Sequence, residues 1–312
     1  MTREYYNAMA TAVTVEQPID GQTGVWLKSG GATVISSGMK MTGATVSTGQ
    51  VQYIYDRGAA SGTLATGGGL IIATSGAVIR NASASEYANA FAVSATGAAV
   101  SGLNVWNASA MLSNCTAENI VIGTDIGTYT ARVNAWGGNV SSVNMGTKTM
   151  FSLSRYVSVS EVYVSSGAYL GADGSSYIDE LVALGGGIVS AYQTTINHLI
   201  MSGGRPTLTA HAVLNSLTTT ERGGTITVTG GSAMDGRTVS QVAVVLYSGV
   251  TCSALTVGNA AACHVYNAAI LSAPVLLSGA SLYVASGGSA LAVTSNAGAV
   301  VTVAAGGYIE YA

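Results

Sequence analysis

Apolar and polar residues alternate in short runs along most of the chain. In Val162-Tyr163-Val164 and Ile226-Thr227-Val228, apolar side chains occupy every second position. Side chains of a strand point alternately to its two faces. The pattern therefore predicts short strands with Val, Ile or Ala facing a core and Ser, Thr or Tyr facing solvent. Glycine-rich stretches separate these runs and indicate tight turns between the strands.

Glycine recurs at a nearly constant spacing. Gly30, Gly49 and Gly68 are separated by two equal steps of 19, and Gly38, Gly58 and Gly76 have steps of 20 and 18. Similar steps return later, at Gly167, Gly186, Gly204 and Gly223, and, after a shift in phase, at Gly231, Gly249, Asn267, Gly287 and Gly306. A repeat of this length built from short strands predicts one turn of a β-solenoid per repeat. We expect two glycine corners in each turn, because glycine accepts the left-handed backbone of a sharp corner.

Composition supports an all-β chain. Of the 312 residues, 41 are Gly, only 2 are Phe and only 8% are charged, so the residues that form helix surfaces are scarce. We predict a right-handed parallel β-helix with a repeat of about 19 residues per turn. Residues 1–24 are interpreted as an N-terminal cap or lead-in, and residues 25–312 as repeats. Within the repeats, residues 77–160 are less regular, which predicts longer corner loops there.

Charge and cysteine content exclude several classes of function. The net charge is −3 and Lys and Arg form no cluster, so nucleic-acid binding has no electrostatic basis. Apolar stretches such as Ala299 to Ala305 are far too short to span a bilayer, so we expect no membrane insertion. Cys115, Cys252 and Cys263 form no metal-type pair, and we predict buried free thiols, no metal site and no cofactor.

One stretch resembles a known repeat. The residues Ser29-Gly30-Gly31-Ala32-Thr33-Val34-Ile35-Ser36-Ser37-Gly38, then Thr42 to Gly49 and Gln52-Tyr53-Ile54-Tyr55, are similar to the AIDA-type repeat of self-associating autotransporter adhesins of Gram-negative bacteria. The similarity covers about residues 25–80 and recurs faintly at Leu282–Gly288 and Val300–Gly307. It implies a β-helix at the outer cell surface that mediates adhesion, often O-glycosylated on Ser and Thr. The family's export signal and membrane anchor are expected to lie outside this chain.

Enzymatic β-helices carry acidic residues on neighbouring turns, so the spacing of the carboxylates is informative. Glu161, Glu180 and His198 precede similar strands at steps of 19 and 18, which predicts one outward column with neighbours roughly 5 Å apart. Asp173 and Asp179 lie close in sequence. Solvated polar residues at a strand entry explain the column more simply, so we predict no catalytic residue and no enzyme. A polysaccharide lyase or hydrolase using this column remains the alternative. His211 and His264 are interpreted as isolated structural residues.

The expected function is binding. Rows of Ser, Thr and Tyr would bind weakly at each site and strongly by repetition. The partners expected are other copies of the chain, or glycans and proteins of a host or cell surface. A phage or fimbrial fibre is a further alternative. Among the 16 tyrosines, those expected at strand positions are Tyr53, Tyr55, Tyr163, Tyr247, Tyr283 and Tyr308.

Overall fold

The computed structural model describes residues 38–85, 91–124 and 131–312, together with the strands Tyr5–Asn7, Ala10–Val13, Val25–Trp26 and Ala32–Ile35. Contacts divide the chain into two compact units, residues 1–152 and 153–312. The regular elements of the described residues are β-strands. No helix long and apolar enough to cross a membrane occurs among them. The predicted all-β solenoid with parallel strands about 19 residues apart is confirmed.

The first unit begins with antiparallel pairs and continues as a parallel coil. Its strands are β1 (Tyr5–Asn7), β2 (Ala10–Val13), β3 (Val25–Trp26), β4 (Ala32–Ile35), β5 (Lys40–Thr42), β6 (Thr45–Val46), β7 (Val51–Ile54), β8 (Ala59–Ser61), β9 (Leu64–Ala65), β10 (Leu70–Ala73), β11 (Val78–Arg80), β12 (Ser83–Ser85), β13 (Phe91–Thr96), β14 (Ala99–Ser101), β15 (Asn104–Trp106), β16 (Ser109–Gly123), β17 (Arg132–Met145) and β18 (Met150–Ser154), which continues just past the end of the unit. Strand β1 pairs antiparallel with β2, and β3 with β4. Parallel pairing starts between β4 and β7. Most of the predicted lead-in lies outside the described residues.

The second unit contains the remaining strands. They are β19 (Ser158–Val164), β20 (Tyr169–Ala172), β21 (Tyr177–Leu184), β22 (Ile188–Tyr192), β23 (Thr195–Ser202), β24 (Arg205–Thr209), β25 (Val213–Leu214), β26 (Leu217–Thr219), β27 (Thr225–Val228), β28 (Thr238–Val239), β29 (Ala243–Leu246), β30 (Thr251–Ser253), β31 (Thr256–Val257), β32 (Ala262–Val265), β33 (Ile270–Ser272), β34 (Val275–Leu276), β35 (Ser281–Val284), β36 (Ser289–Ser295), β37 (Val300–Val303) and β38 (Tyr308–Tyr311). Strands of successive turns pair in parallel, as β29 does with β32 and β32 with β35.

Each regular turn has three strands and three corners, where two glycine corners were expected. In the first unit, β7, β8 and β9 form one turn, and Leu70 of the next turn pairs with Val51, one full repeat earlier. The additional corner carries left-handed residues at Gly43, Gly62, Asn81 and Gly102. In the second unit the corresponding positions are Gly236, Ala254, Ala273 and Ala292. In the second unit, alanine carries no turn signal at this corner. In the first unit, the step of 19 from Gly43 to Gly62 was the available signal for it.

The regularly spaced glycines that were predicted to form corners do so at some positions. At other positions the corner residue is one place away in the sequence. Gly49 and Gly68 have left-handed φ angles of 75° and 94° and occupy equivalent positions, whereas Gly30 lies outside the described residues. Between Gly38 and Gly76 the left-handed residue is Arg57, with φ 58°, and not Gly58. Main-chain hydrogen bonds confirm the order, because Gly38 N donates to Arg57 O and Arg57 N donates to Gly76 O.

Gly58 is needed for a different reason. A Cβ at this position would lie 2.6 Å from the carbonyl oxygen of Ile35 in the preceding turn. The chain thus requires glycine where two turns approach closely, and tolerates arginine at the corner beside it.

Two similar shifts occur in the second unit. The corner after Gly186 belongs to Gly203, with φ 80°, and not to Gly204. Between Gly249 and Gly287 it belongs to Ala268, with φ 57°, and not to Asn267. Ala268 N donates to Gly287 O at 2.9 Å. The ladder of main-chain hydrogen bonds, rather than the residue type, fixes these corners.

The interior of each coil is filled by columns of small and branched apolar side chains. Ala60, Ile79 and Val100, which pair in register, are 0–1% exposed. A polar pair also occurs inside the first unit, where Thr63 Oγ1 donates to Gln52 Oε1 at 3.1 Å. Cys115, Cys252 and Cys263 are buried free thiols.

The first unit becomes irregular after β10. Ile72 pairs with Ser94, Ser94 with Met111, and Met111 with Asn134, so the steps along the sequence are 22, 17 and 23. Strands β16 and β17 are 15 and 14 residues long and pair along almost their whole length. Irregular spacing therefore does not interrupt the parallel stacking here.

Candidate functional site

The second unit brings the predicted polar column together. Glu161 on β19 pairs with Glu180 on β21, and Glu180 pairs with His198 on β23. The next residue of each strand, Val162, Leu181 and Leu199 respectively, is fully buried. Alternation therefore directs the three polar side chains outward, where each is partly exposed.

His198 lies between an acid and a hydroxyl group. Its Nδ1 is 3.8 Å from Oε2 of Glu180, and its Nε2 makes a 3.0 Å hydrogen bond with Oγ1 of Thr218. The side chains of His198 and Glu180 are 33% and 38% exposed. Solvent screens a pair this exposed, so its contribution to the free energy of unfolding is small.

Glu161 has a partner that spacing did not predict. Tyr163 donates a 2.6 Å hydrogen bond to Oε1 of Glu161 from the same strand. This hydrogen bond raises the pKa of the Tyr163 phenol, and partial burial and the negative charges of Glu161 and Glu180 act in the same direction. The i, i+2 spacing places both side chains on the outer face, which is the sequence signal for this contact.

A second polar row borders the column. Asp179 Oδ1 accepts hydrogen bonds from Nδ2 of Asn197 at 2.8 Å and from the phenol of Tyr177 at 3.2 Å. Asn215 Nδ2 donates to Oδ1 of Asn197 at 3.5 Å. Asp179, Asn197 and Asn215 follow one another at equal steps of 18, so their stacking was readable from the sequence. Asp173 directly follows β20, and its main-chain carbonyl accepts a hydrogen bond from Oγ of Ser176.

The column offers hydrogen bonds and charge on an outer sheet face. In the described part of the chain, no three His, Cys, Asp or Glu side chains meet closely enough to hold a metal ion. An open groove of this unit, which Tyr247 and Tyr266 line, includes none of Glu161, Glu180 and His198. The column can therefore contact a polar partner, and its chemical role stays a prediction.

Tyrosines gather at two places. Tyr53 and Tyr55 stack with ring centroids 6.1 Å apart in the first unit. In the second unit, Tyr247 and Tyr266 stack at 5.1 Å with an angle of 12° between their planes. Tyr55 and Tyr247 directly follow a strand, whereas Tyr53, Tyr163, Tyr283 and Tyr308 lie within strands as predicted.

His264, which was interpreted as an isolated structural residue, has two aromatic neighbours. Its ring is 6.4 Å from that of Tyr266 and 5.8 Å from that of Tyr283. His264 and Tyr283 pair in adjacent strands, which accounts for the contact. His211 lies at a left-handed corner and its ring covers Gly231.

Hydroxyl side chains also repeat from turn to turn on outer faces. Thr42 pairs with Ser61 in the first unit, and Thr207 with Thr227 and Thr238 with Thr256 in the second. Rows of this kind present the same hydrogen-bonding group at the strand spacing, about 4.8 Å.

Comparison with known proteins adds information on the fold. No protein-family model and no curated protein matches the chain. The chain is similar to the crystal structure of a hyper-glycosylated TibA fragment whose glycosylation is catalysed by TibC, with a TM-score of 0.61, 20% identity, and coverage of 91% of this chain and 96% of the fragment. The tailspike protein of E. coli bacteriophage HK620, solved with a pentasaccharide, matches with a TM-score of 0.33 and 9% identity over 88% of this chain and 72% of the tailspike. The TibA fragment thus shares the β-solenoid fold.

Proposed function

We propose that this protein is a non-enzymatic adhesin of the outer cell surface. It associates with other copies of itself or with cell-surface glycans and proteins through rows of Ser, Thr and Tyr. One observation carries the proposal: parallel pairing in register repeats the same outward side chain from turn to turn, as at Thr238 and Thr256. Repetition converts weak contacts into strong overall binding, because each contact formed raises the effective concentration of the next.

The chemistry of the outer faces agrees with this proposal. Charged residues are only 8% of the sequence, so two copies can approach without strong repulsion. Exposed tyrosines such as Tyr156, Tyr192 and Tyr247 add apolar area with a polar end, a combination enriched at interfaces. The resemblance of residues 25–80 to AIDA-type repeats and the fold shared with the glycosylated TibA fragment support a location outside the cell.

A bead assay tests the adhesive function. The purified chain is attached to latex beads through one terminal tag, and clustering is followed by light scattering. Coated beads should cluster, and soluble protein added in excess should prevent clustering by occupying the same faces. Beads coated with heat-denatured protein are the control. Native-protein beads that stay dispersed and also fail to adhere to bacterial and epithelial cells would contradict the proposal.

A carbohydrate-active enzyme is the second candidate. The observation in its favour is the contact between Glu180 and His198 in register with Glu161. Such an enzyme would release reducing or unsaturated ends from a polysaccharide, and Glu180→Gln would abolish the release. We expect no release from a panel of bacterial and plant polysaccharides.

A further inference from the structure

An open groove of about 740 Å³ lies on one face of the second unit. It follows a column in which Thr229, Tyr247, Tyr266, Ala285 and Ala304 occupy equivalent positions just after strands β27, β29, β32, β35 and β37. Side-chain size changes along this column. Tyr247 and Tyr266 stack on each other, and the alanines that follow leave the stack unfinished. The groove therefore runs from the two tyrosine rings past Ala285 and Ala304, which line it beside Tyr266.

Two neighbouring rows complete the groove. Tyr283 lies two positions before Ala285, and its ring meets that of Tyr266 edge-on, with centroids 6.5 Å apart and an angle of 65°. On the other side, Ser248, Asn267 and Ser286 provide one polar side chain in each of three turns. The groove thus has an aromatic wall, an alanine floor and a polar rim.

The polar ends of this groove are available to a ligand. Within the described residues, the phenols of Tyr247, Tyr266 and Tyr283 and the side-chain amide of Asn267 make no hydrogen bond. No residue lining the groove is charged. The groove therefore suits a neutral ligand that has an apolar face and several hydroxyl groups.

The hydrogen bonding of the main chain excludes one class of ligand, a peptide that binds as an added strand. The strands below the groove already pair on both sides, as β32 does with β29 and β35. A peptide could not add here as a further strand, since the N–H and C=O groups that such binding uses are occupied. Recognition must come from side chains alone. The volume lies within the range of about 300–1,000 Å³ that small-molecule sites occupy.

We propose that this groove binds a neutral oligosaccharide. The C–H face of one pyranose ring covers Tyr266, and the sugar hydroxyls bond to Asn267, Ser286 and the tyrosine phenols. The inference rests on the proposed adhesive function and names one ligand class for it. A sugar ring stacked on tyrosine replaces the ring that Ala285 does not provide, and it loses little rotational freedom on binding because both partners are rigid.

Glycan-array binding followed by calorimetry tests the inference. The purified chain is applied to an array of neutral and acidic oligosaccharides, and the strongest neutral ligand is titrated against wild type and variants. Tyr266→Ala should weaken binding about tenfold or more, as removal of a central aromatic contact does. Tyr169→Ala is the matched control, because Tyr169 is half-buried like Tyr266 and does not line the groove. It should bind like wild type.

A second variant fills the groove instead of emptying it. Ala285→Tyr places a ring in the column that holds Tyr247 and Tyr266 in the two preceding turns. We expect its circular dichroism to match that of wild type, which would show that the fold accommodates the ring. Binding should be lost. Absence of binding to every neutral glycan, a preference for acidic glycans, or unchanged affinity in both Tyr266→Ala and Ala285→Tyr would overturn the inference.

The bead assay separates the inference from the proposed function. Beads that cluster while the array shows no neutral ligand would leave the adhesive function standing and reject the groove as a sugar site. Specific sugar binding by a protein whose beads neither cluster nor adhere would support the site and reject the adhesive function.

Discussion

The phenol of Tyr163 donates a 2.6 Å hydrogen bond to Oε1 of Glu161 on the same outer strand face. This bond is the largest cause of the raised pKa of Tyr163. The folded chain therefore holds the phenol proton to a higher pH than the unfolded chain does. The resulting stability is complete below the ordinary pKa of 10.0 and is lost as the pH rises through the raised value.

Tyr163→Phe should consequently lose less stability than wild type between pH 9 and pH 11, because no phenol remains there to titrate. Urea unfolding at the two pH values measures the difference. Glu161→Gln should behave similarly, since it removes the carboxylate that raises the pKa of Tyr163. An equal loss of stability in wild type and both variants would show that the hydrogen bond has no influence on the phenol.

Substitutions at Arg57 and Gly58, which are neighbours at one corner, should change the free energy of unfolding in different ways. Arg57→Gly should be neutral or stabilise by up to about 1 kcal/mol, because a left-handed non-glycine residue costs about 1–2 kcal/mol and glycine recovers only part of that. Gly58→Ala should destabilise by more than about 2 kcal/mol, since its Cβ would meet the carbonyl oxygen of Ile35. Chemical denaturation of both variants checks the assignment. If Arg57→Gly destabilised the protein more than Gly58→Ala, the left-handed corner residue would be Gly58 and not Arg57.

The three thiols should be inert in the folded protein. Burial raises the pKa of Cys252 to about 12, with a smaller effect from the charge of Asp235, and burial also raises the pKa of Cys115 and Cys263. Little thiolate exists at pH 8, so a disulfide-exchange reagent should label none of the three until the chain is unfolded. Rapid labelling of the native protein, or a Cys252–Cys263 peptide in non-reducing mass spectrometry, would contradict this expectation.

Bead clustering should depend little on salt. Contacts through Ser, Thr and Tyr involve neutral groups, whereas charge-driven association weakens when the Debye length falls from ~30 Å at 0.01 M to ~3 Å at 1 M salt. Light scattering across that range measures the dependence. Dispersal of the clusters by salt would show that the few charged residues, rather than the neutral rows, carry the association.

Glu180→Gln should leave bead clustering unchanged, because binding is distributed over many contacts. The same variant should have no effect in a polysaccharide-degradation screen, in which the wild type is expected to be inactive. A single substrate that the wild type cleaves and Glu180→Gln does not would contradict the proposed adhesive function and support the enzyme.

The sequence predicts the period and the columns because both follow from counting residues. Glu161, Glu180 and His198 stack as their spacing indicates, since one turn pairs with the next without a gap. Counting fails at corners such as Ala273, with φ 49°. An alanine there is left-handed only because its neighbours in adjacent turns hold the backbone, and a single sequence does not display that constraint.

The aromatic groove could not be predicted from alternation. Tyr247 and Tyr266 lie just past the ends of their strands, where alternation no longer fixes the direction of a side chain. Their stacking depends on hydrogen bonds from Tyr247 N to Val228 O and from Tyr266 N to Leu246 O. The separation of the two tyrosines by one full repeat was the available signal, and it is visible only once the strand ends are known.

Main-chain hydrogen bonds join the corners at Gly38, Arg57 and Gly76. Replacing a side chain at such a corner therefore changes these hydrogen bonds little. The sequence of one turn can therefore diverge from the sequences of its neighbours while the turn keeps its position in the stack. Relatives of such a chain will be found more readily by comparing shapes than by aligning sequences. For protein engineering, the same tolerance indicates that corner residues can be replaced, one turn at a time, in order to present a loop or an epitope on the surface.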